Sequence, residues 1–279
     1  MKYLLIIALM LLLTNCSCPD NTTTDETPPP DETLTEYEKY KRTNKKFLET
    51  WKDEAANRGG RLVFKDEWNS EVVNAYANQE GNTWYVVIHG ALWRHEKSTP
   101  DATEMVYCHE LGHHMGGTPR YSNSWASAEG QSDYWGANVC AKKMWANDDN
   151  KKKIEGKYLS EYVKSNCEKS VPEKEYYLCL RIALAAFDMG KFLYNGDGPT
   201  PKQDLKMPAI SGIQLTHPKA QCRYETGLAG GLCDKNYRFV DCISSQGYGL
   251  AARPKCWHGV QDFRAIIPAK YVAGIIPKG

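Results

Sequence analysis

The sequence carries no surplus of charge of one sign: thirty-five lysines and arginines stand against thirty-four aspartates and glutamates. That balance removes the single-sign field that would recruit nucleic acid or an anionic membrane surface, so neither is expected as an electrostatic partner. Nor is there an apolar run of the ~20 residues that a helix needs to cross a bilayer. The longest, Tyr3 to Leu13, has eleven, which speaks against a permanent span. No C-x-x-C pair occurs among the ten cysteines, which argues against a cysteine-ligated structural metal. No internal repeat is found, and a chain of 279 residues can then bury one sizeable core or two small ones.

What is present begins with Lys2, the apolar run and a small or polar stretch ending at Cys16, the pattern of an export signal. Leu13-Thr14-Asn15-Cys16 resembles a bacterial lipobox, so residues 1–16 are expected to be a lipoprotein-type signal with Cys16 lipidated. Cleavage to a secreted form is the alternative. Residues 17–36, rich in Pro, Thr, Asp and Glu, lack the apolar side chains needed to offset ordering entropy and read as a flexible tether. A folded domain is expected over residues 37–221, followed by a cysteine-rich extension over residues 222–279. The eight cysteines beyond Cys18 form an even set in an exported chain and predict disulfides. Pairing of sequence neighbours is expected, with Cys167–Cys179 and Cys222–Cys233 as first choices.

The stretch "VYCHELGHHMGG" sets His109, Glu110 and His113 in the spacing H-E-x-x-H. Thr99-Pro100-Asp101 supplies a cap, a first-turn proline and a first-turn acid, and Gly116-Gly117 supplies a stop, so a helix is predicted from Thr99 to Met115. Four residues make slightly more than one turn, which lets both imidazoles meet one ion. A catalytic zinc takes three protein ligands, so a third must be found. An extension to H-E-x-x-H-x-x-G-x-x-H fails, because position 119 is Pro119. A second helix, predicted from about Ser124 to Trp145, offers Glu129 as the third ligand. Asp133, four residues on, lies on the same face and is placed to accept the other ring N–H of a ligating histidine. His89 and His95 read as surface or packing residues, and His114, turned about 100° from His113, should miss the metal.

Around these residues four segments occur in a shared order. "VVNAYANQEGNTWYVVIHGALW", H-E-x-x-H, "EGQSD" and "THPKAQCR" together resemble the gluzincin zinc peptidases of the HtpX and CAAX prenyl protease type, over about Val72 to Arg223. Members of that family carry transmembrane helices, and no run of that length follows Leu13 here. The resemblance implies an α+β fold, a small antiparallel or mixed sheet packed on the two helices, and one Zn2+ held by His109, His113 and Glu129. It implies that Glu110 acts as general base and that His217 or Arg223 stabilises the oxyanion. The strand "TWYVVIHG" would lie along the cleft and pair with an extended peptide or protein substrate. Zinc-dependent peptide hydrolysis in the cell envelope, with a membrane contact through the lipid on Cys16, is the resulting expectation. A zinc-binding lipoprotein without turnover is the alternative, and Glu110 discriminates, since a non-catalytic site has no use for a base.

Overall fold

Thr35 starts the fold with a capping box: its hydroxyl accepts from Glu38 N while Glu38 Oε2 accepts from Thr35 N at 2.8 Å. The computed structural model describes residues 33–193, 198–199, 207–234, 242 and 249–259. The expected signal, Cys16 and nearly all of the tether lie outside them. Helix α1, Glu36–Asn57, buries Tyr40, Thr43, Phe47, Trp51 and Ala55, spaced three or four apart along one stripe. Each large side chain of that stripe contributes roughly 1.5–3 kcal/mol by leaving water. Tyr40 also donates through its hydroxyl to Ile88 O at 2.8 Å, tying α1 to the sheet.

Three strands follow, β1 (Arg61–Glu67), β2 (Ala75–Glu80) and β3 (Thr83–His89), in the order β1-β3-β2. β3 pairs parallel with β1 and antiparallel with β2. The sheet is therefore mixed, and the fold is α+β. Trp84, Val86, Val87 and Ile88 of β3 are buried, as a continuous apolar run in a central strand should be. That placement corrects one expectation. A strand hydrogen-bonded on both sides has no free edge for a substrate backbone, so "TWYVVIHG" cannot pair with one; the free edges belong to β1 and β2.

After α2 (Gly90–Trp93), helix α3 (Pro100–Met115) starts where predicted, with the Thr99 hydroxyl accepting from Ala102 N at 3.2 Å. It is buried almost all round from Ala102 onward, and Gly117 at φ 80° turns the chain away after it. The next helix begins five residues later than predicted, at Glu129 rather than Ser124. Residues 120–127 instead form a small loop closed by an Arg120–Ser127 bridge, with Asn123 at φ 53°. From Glu129 the helix runs as α4 (Glu129–Trp135), a π-helical stretch (Gly136–Ala141) and α5 (Lys142–Trp145). A Cβ on Gly112 would stand 2.8 Å from Ser132 O, so only glycine lets α3 and α4 approach this closely.

Among the described residues the remaining α-helices are α6 (Asn150–Lys153), α7 (Glu161–Ser170), α8 (Tyr176–Phe192) and α9 (Ala220–Leu232). Buried Arg181 of α8 clasps Asp101 at the start of α3 with two hydrogen bonds of 2.8 and 3.0 Å. The expected division between residues 221 and 222 falls inside α9, a helix that packs Arg223 into the middle of the fold.

Four disulfides cross-link the described residues: Cys108–Cys140, Cys167–Cys179, Cys222–Cys256 and Cys233–Cys242. Cys108–Cys140 and Cys167–Cys179 join sequence neighbours as expected, the latter being one of the two first choices. Cys222–Cys233 is not formed, because those residues stand near opposite ends of α9, about 16 Å apart at 1.5 Å per residue, beyond the ~7 Å reach of a disulfide. Such a set points to an oxidising, non-cytoplasmic compartment. Among the described residues no helix is long and apolar enough to cross a membrane.

Candidate metal centre

His109 and His113 stand one turn apart on α3, ring centroids 4.8 Å apart and planes at 84°. Each ring is held from behind through Nδ1. His109 Nδ1 lies 2.7 Å from Asp133 Oδ1, and His113 Nδ1 lies 2.8 Å from Ser127 O. Both rings therefore keep Nε2 free and turned toward Glu129, the arrangement that ligating histidines adopt. Cys108, adjoining His109, is bonded to Cys140 in the π-helical stretch, so a covalent bridge joins the two helices that carry these side chains.

Glu129 enters from the first turn of α4. Its Oε2 lies 3.1 Å from His109 Nε2 and 3.1 Å from His217 Nε2, and its Oε1 lies 3.8 Å from His113 Nε2. Oε1 accepts a hydrogen bond from Tyr121 OH at 2.9 Å, while Oε2 is buried with no hydrogen-bond partner among the described residues. Two overlapping groups, His109–Glu129–His217 and His109–Glu110–His113, each offer ligand atoms within 4.8 Å of one another and could hold a metal ion. His217 arrives on the loop before α9, and its side chain is 67% exposed whereas those of His109 and Glu129 are 5% and 7% exposed.

Arg223 requires a correction. Expected as an oxyanion donor, it is buried, and its Nε and Nη2 reach Asp133 Oδ2 and Oδ1 at 2.8 and 2.7 Å. Its Nη2 also lies 3.2 Å from His109 Nδ1, so two of its three nitrogens meet the carboxylate and ring edge behind the proposed ligand. α9 approaches closely enough for this because Gly230, where a Cβ would stand 2.8 Å from Tyr134 O, has no side chain. Of the two expected donors, His217 belongs to a metal-capable group and Arg223 lies behind His109.

His114 does miss the cluster: its ring lies between Trp84 and Trp125, with centroids 5.2 and 4.5 Å away, and its Nε2 lies 3.0 Å from Tyr85 O. His89 lies 2.6 Å from Ser70 Oγ and His95 packs tilted against Phe192, both apart from the two metal-capable groups. Three participants were not foreseen: Tyr121, the Ser127 carbonyl and the Ser132 hydroxyl, 3.0 Å from His113 Nδ1. A turn signal in Tyr121-Ser122-Asn123-Ser124 was the one cue that the segment carrying the first two folds back on the site.

The protonation states follow from burial and neighbours. Burial pushes Glu110 up to about 7, against the pull of the His109 charge. Burial, reinforced by His109, lowers His113 to about 4. For His109 burial acts downward too, but Asp133 at Nδ1 and Glu129 at Nε2 outweigh it and raise the ring to about 10. Glu129 is held well below the usual carboxylate range, burial being overcome by His109, His113 and His217. Burial and the Glu129 charge raise Tyr121, which keeps its phenol a donor. His109 thus stands between two carboxylates, Asp133 at Nδ1 and Glu129 at Nε2.

No family model, no curated protein and no solved structure matches this chain.

Proposed function

We propose that the chain is a zinc-dependent peptidase of the gluzincin type, with one Zn2+ held by His109, His113 and Glu129. Zinc with nitrogen and oxygen ligands at 2.0–2.2 Å in tetrahedral array separates those atoms by about 3.3–3.6 Å. Glu129 Oε2 stands 3.1 Å from His109 Nε2, near that value, while His113 Nε2 stands 3.8 Å from the other oxygen, Oε1. The unsatisfied Oε2, faced by imidazole nitrogens, is the atom that a cation would satisfy. The order of the segments around it, resembling the HtpX and CAAX prenyl protease type, favours the same ion.

When bound, Zn2+ supplies Lewis acidity, polarising a carbonyl and lowering the pKa of water toward about 7. Glu110 takes the proton from the attacking water and delivers it to the leaving amine. His217, exposed beside Glu129, donates to the developing oxyanion. Asp133 and Ser127 O hold the ligating rings in the tautomer that leaves Nε2 free. The observation that carries the proposal is Glu110: a buried carboxylate 4.0 Å from His113 Nε2, beside the proposed ligands and in excess of what holding the ion requires.

A second reading rests on His217, whose Nε2 lies as close to Glu129 Oε2 as His109 does. A fourth protein ligand there would close the site, as structural zinc sites are closed, and give a zinc-binding module without turnover. Zinc analysis of the purified chain, joined to a peptide-library digest with and without chelator, tests the proposal. Zinc at one equivalent and cleavage that chelator abolishes and zinc restores are the expected result; bound zinc with no cleavage would favour the closed module.

The proposed location is the cell envelope, through a lipid on Cys16. Cys16→Ser should move the protein from the membrane to the soluble fraction with the folded domain intact. An unchanged distribution would refute the anchor.

A further inference from the structure

Glu129 divides its two oxygens between different tasks, and the division originates in the loop between α3 and α4. Tyr121 OH donates to Oε1 at 2.9 Å, while Oε2 is left bare and turned to the nitrogens of His109 and His217. A carboxylate with both oxygens free can grip an ion through either or both, raising the coordination number and using up the position that water needs. A phenol fixed on one oxygen removes that choice.

The phenol is itself well held. Tyr121 N donates to Ala126 O at 3.1 Å and Ser124 N donates to Tyr121 O at 3.1 Å, closing the loop on itself. Ala128 N donates to Pro119 O at 2.9 Å and Ser127 N donates to His113 O at 2.9 Å, fastening both ends of the loop to the site. Glu129 N donates to Leu215 O at 3.1 Å, which fixes the backbone beneath the carboxylate.

We infer that Tyr121 is a positioning residue for the metal ligand Glu129: its hydroxyl occupies Oε1, so that Glu129 binds the ion through Oε2 alone and the site stays four-coordinate. The assignment presupposes the metal site proposed above and adds a role for a residue outside every motif of the chain.

The test uses the full chain loaded with Zn2+ or Co2+, in wild type, Tyr121→Phe and Ser124→Ala. Ser124 Oγ accepts from Ala126 N at 3.1 Å, so Ser124→Ala loosens the loop without removing the phenol. Tyr121→Phe should weaken zinc binding about 10–100-fold, as loss of an outer hydrogen bond to a ligand does. Its cobalt absorption bands should lose intensity as a second carboxylate oxygen enters, while its melting temperature in chelator stays near wild type. Ser124→Ala should leave the bands unchanged. Unaltered affinity and bands in Tyr121→Phe overturn the assignment, and so does an equal change in Ser124→Ala, which would make loop order the cause. If Tyr121→Phe fails to fold, the zinc-minus-chelator infrared difference spectrum of the wild type decides. Wide carboxylate splitting marks the single-oxygen ligand, and narrow, two-oxygen splitting overturns it. A wild type that takes up neither metal removes the metal site itself, an outcome seen without any variant.

Discussion

Glu110→Gln should abolish most turnover while leaving the zinc in place. The amide keeps the size and hydrogen-bonding capacity of the acid and touches none of the three proposed ligands, so metal content should stay at one equivalent. It cannot accept the water's proton, and peptide cleavage should fall by about 10²–10⁴-fold, the contribution of a positioned general base, or roughly 2.7–5.5 kcal/mol of transition-state stabilisation. Stability should respond with a sign that follows from the raised pKa. Burial lifts Glu110 to about 7 in the folded chain from an ordinary value of 4.5. A carboxyl raised on folding contributes stability that is fully present below its unfolded pKa and is lost as pH rises through about 7. Glutamine does not ionise. In chelator, Glu110→Gln should therefore melt higher than wild type at pH 8, and the difference should shrink toward pH 5. Cleavage at the wild-type rate by Glu110→Gln would sink the peptidase mechanism and leave the closed zinc module; a variant melting below wild type at pH 8 would show that the buried charge is not a burden.

The parts of this site legible in the sequence are those whose partners lie within one helix. His109 and His113 share a face because four residues nearly complete a turn, and Glu129 and Asp133 share one for the same reason. Thr99 at the start of α3 and glycine at its end were readable because capping chemistry is local. What the spacing could not supply was the relation between segments. Arg223 matches its place in T-H-P-x-x-x-x-R whether it faces a reacting carbonyl or the back of Asp133. Only the packing of α9 against α4, close enough to require Gly230, decides that it faces Asp133.

The same limit applies to strand order and to cysteine pairing. The apolar run of β3 signals burial, and burial in a three-stranded sheet means the centre, where no edge is left for a substrate. Cys222 and Cys233 are neighbours in sequence, but the helix between them holds them apart. Tyr121 lies in a segment with no metal-binding spacing at all. Its place beside Glu129 arises from a left-handed residue, Asn123, and a closure of the loop by backbone hydrogen bonds that carries little side-chain signature.

Arg223→Ala should be the most damaging single change to stability in the site. The guanidinium and the Asp133 carboxylate are both buried, 4% and 2% exposed, and two hydrogen bonds of 2.7 and 2.8 Å join them. Removing one member of such a pair leaves the other charge without its partner in a low-dielectric setting, which typically costs about 3–5 kcal/mol. For a domain of this size that corresponds to a fall of roughly 6–20 °C in melting temperature. Arg223→Lys keeps the charge but cannot reach both oxygens in parallel, so it should recover only part of the loss. Zinc affinity should fall in both variants by about 10–100-fold, because Asp133 orients His109 through Nδ1. The double variant Asp133→Asn, Arg223→Met separates the two effects. With no charge left unpaired it should regain much of the lost stability, yet it should still bind zinc weakly, since the amide no longer holds the imidazole as the carboxylate did. Recovery of zinc affinity together with stability would mean that the pair serves the fold alone and that His109 needs no carboxylate behind it.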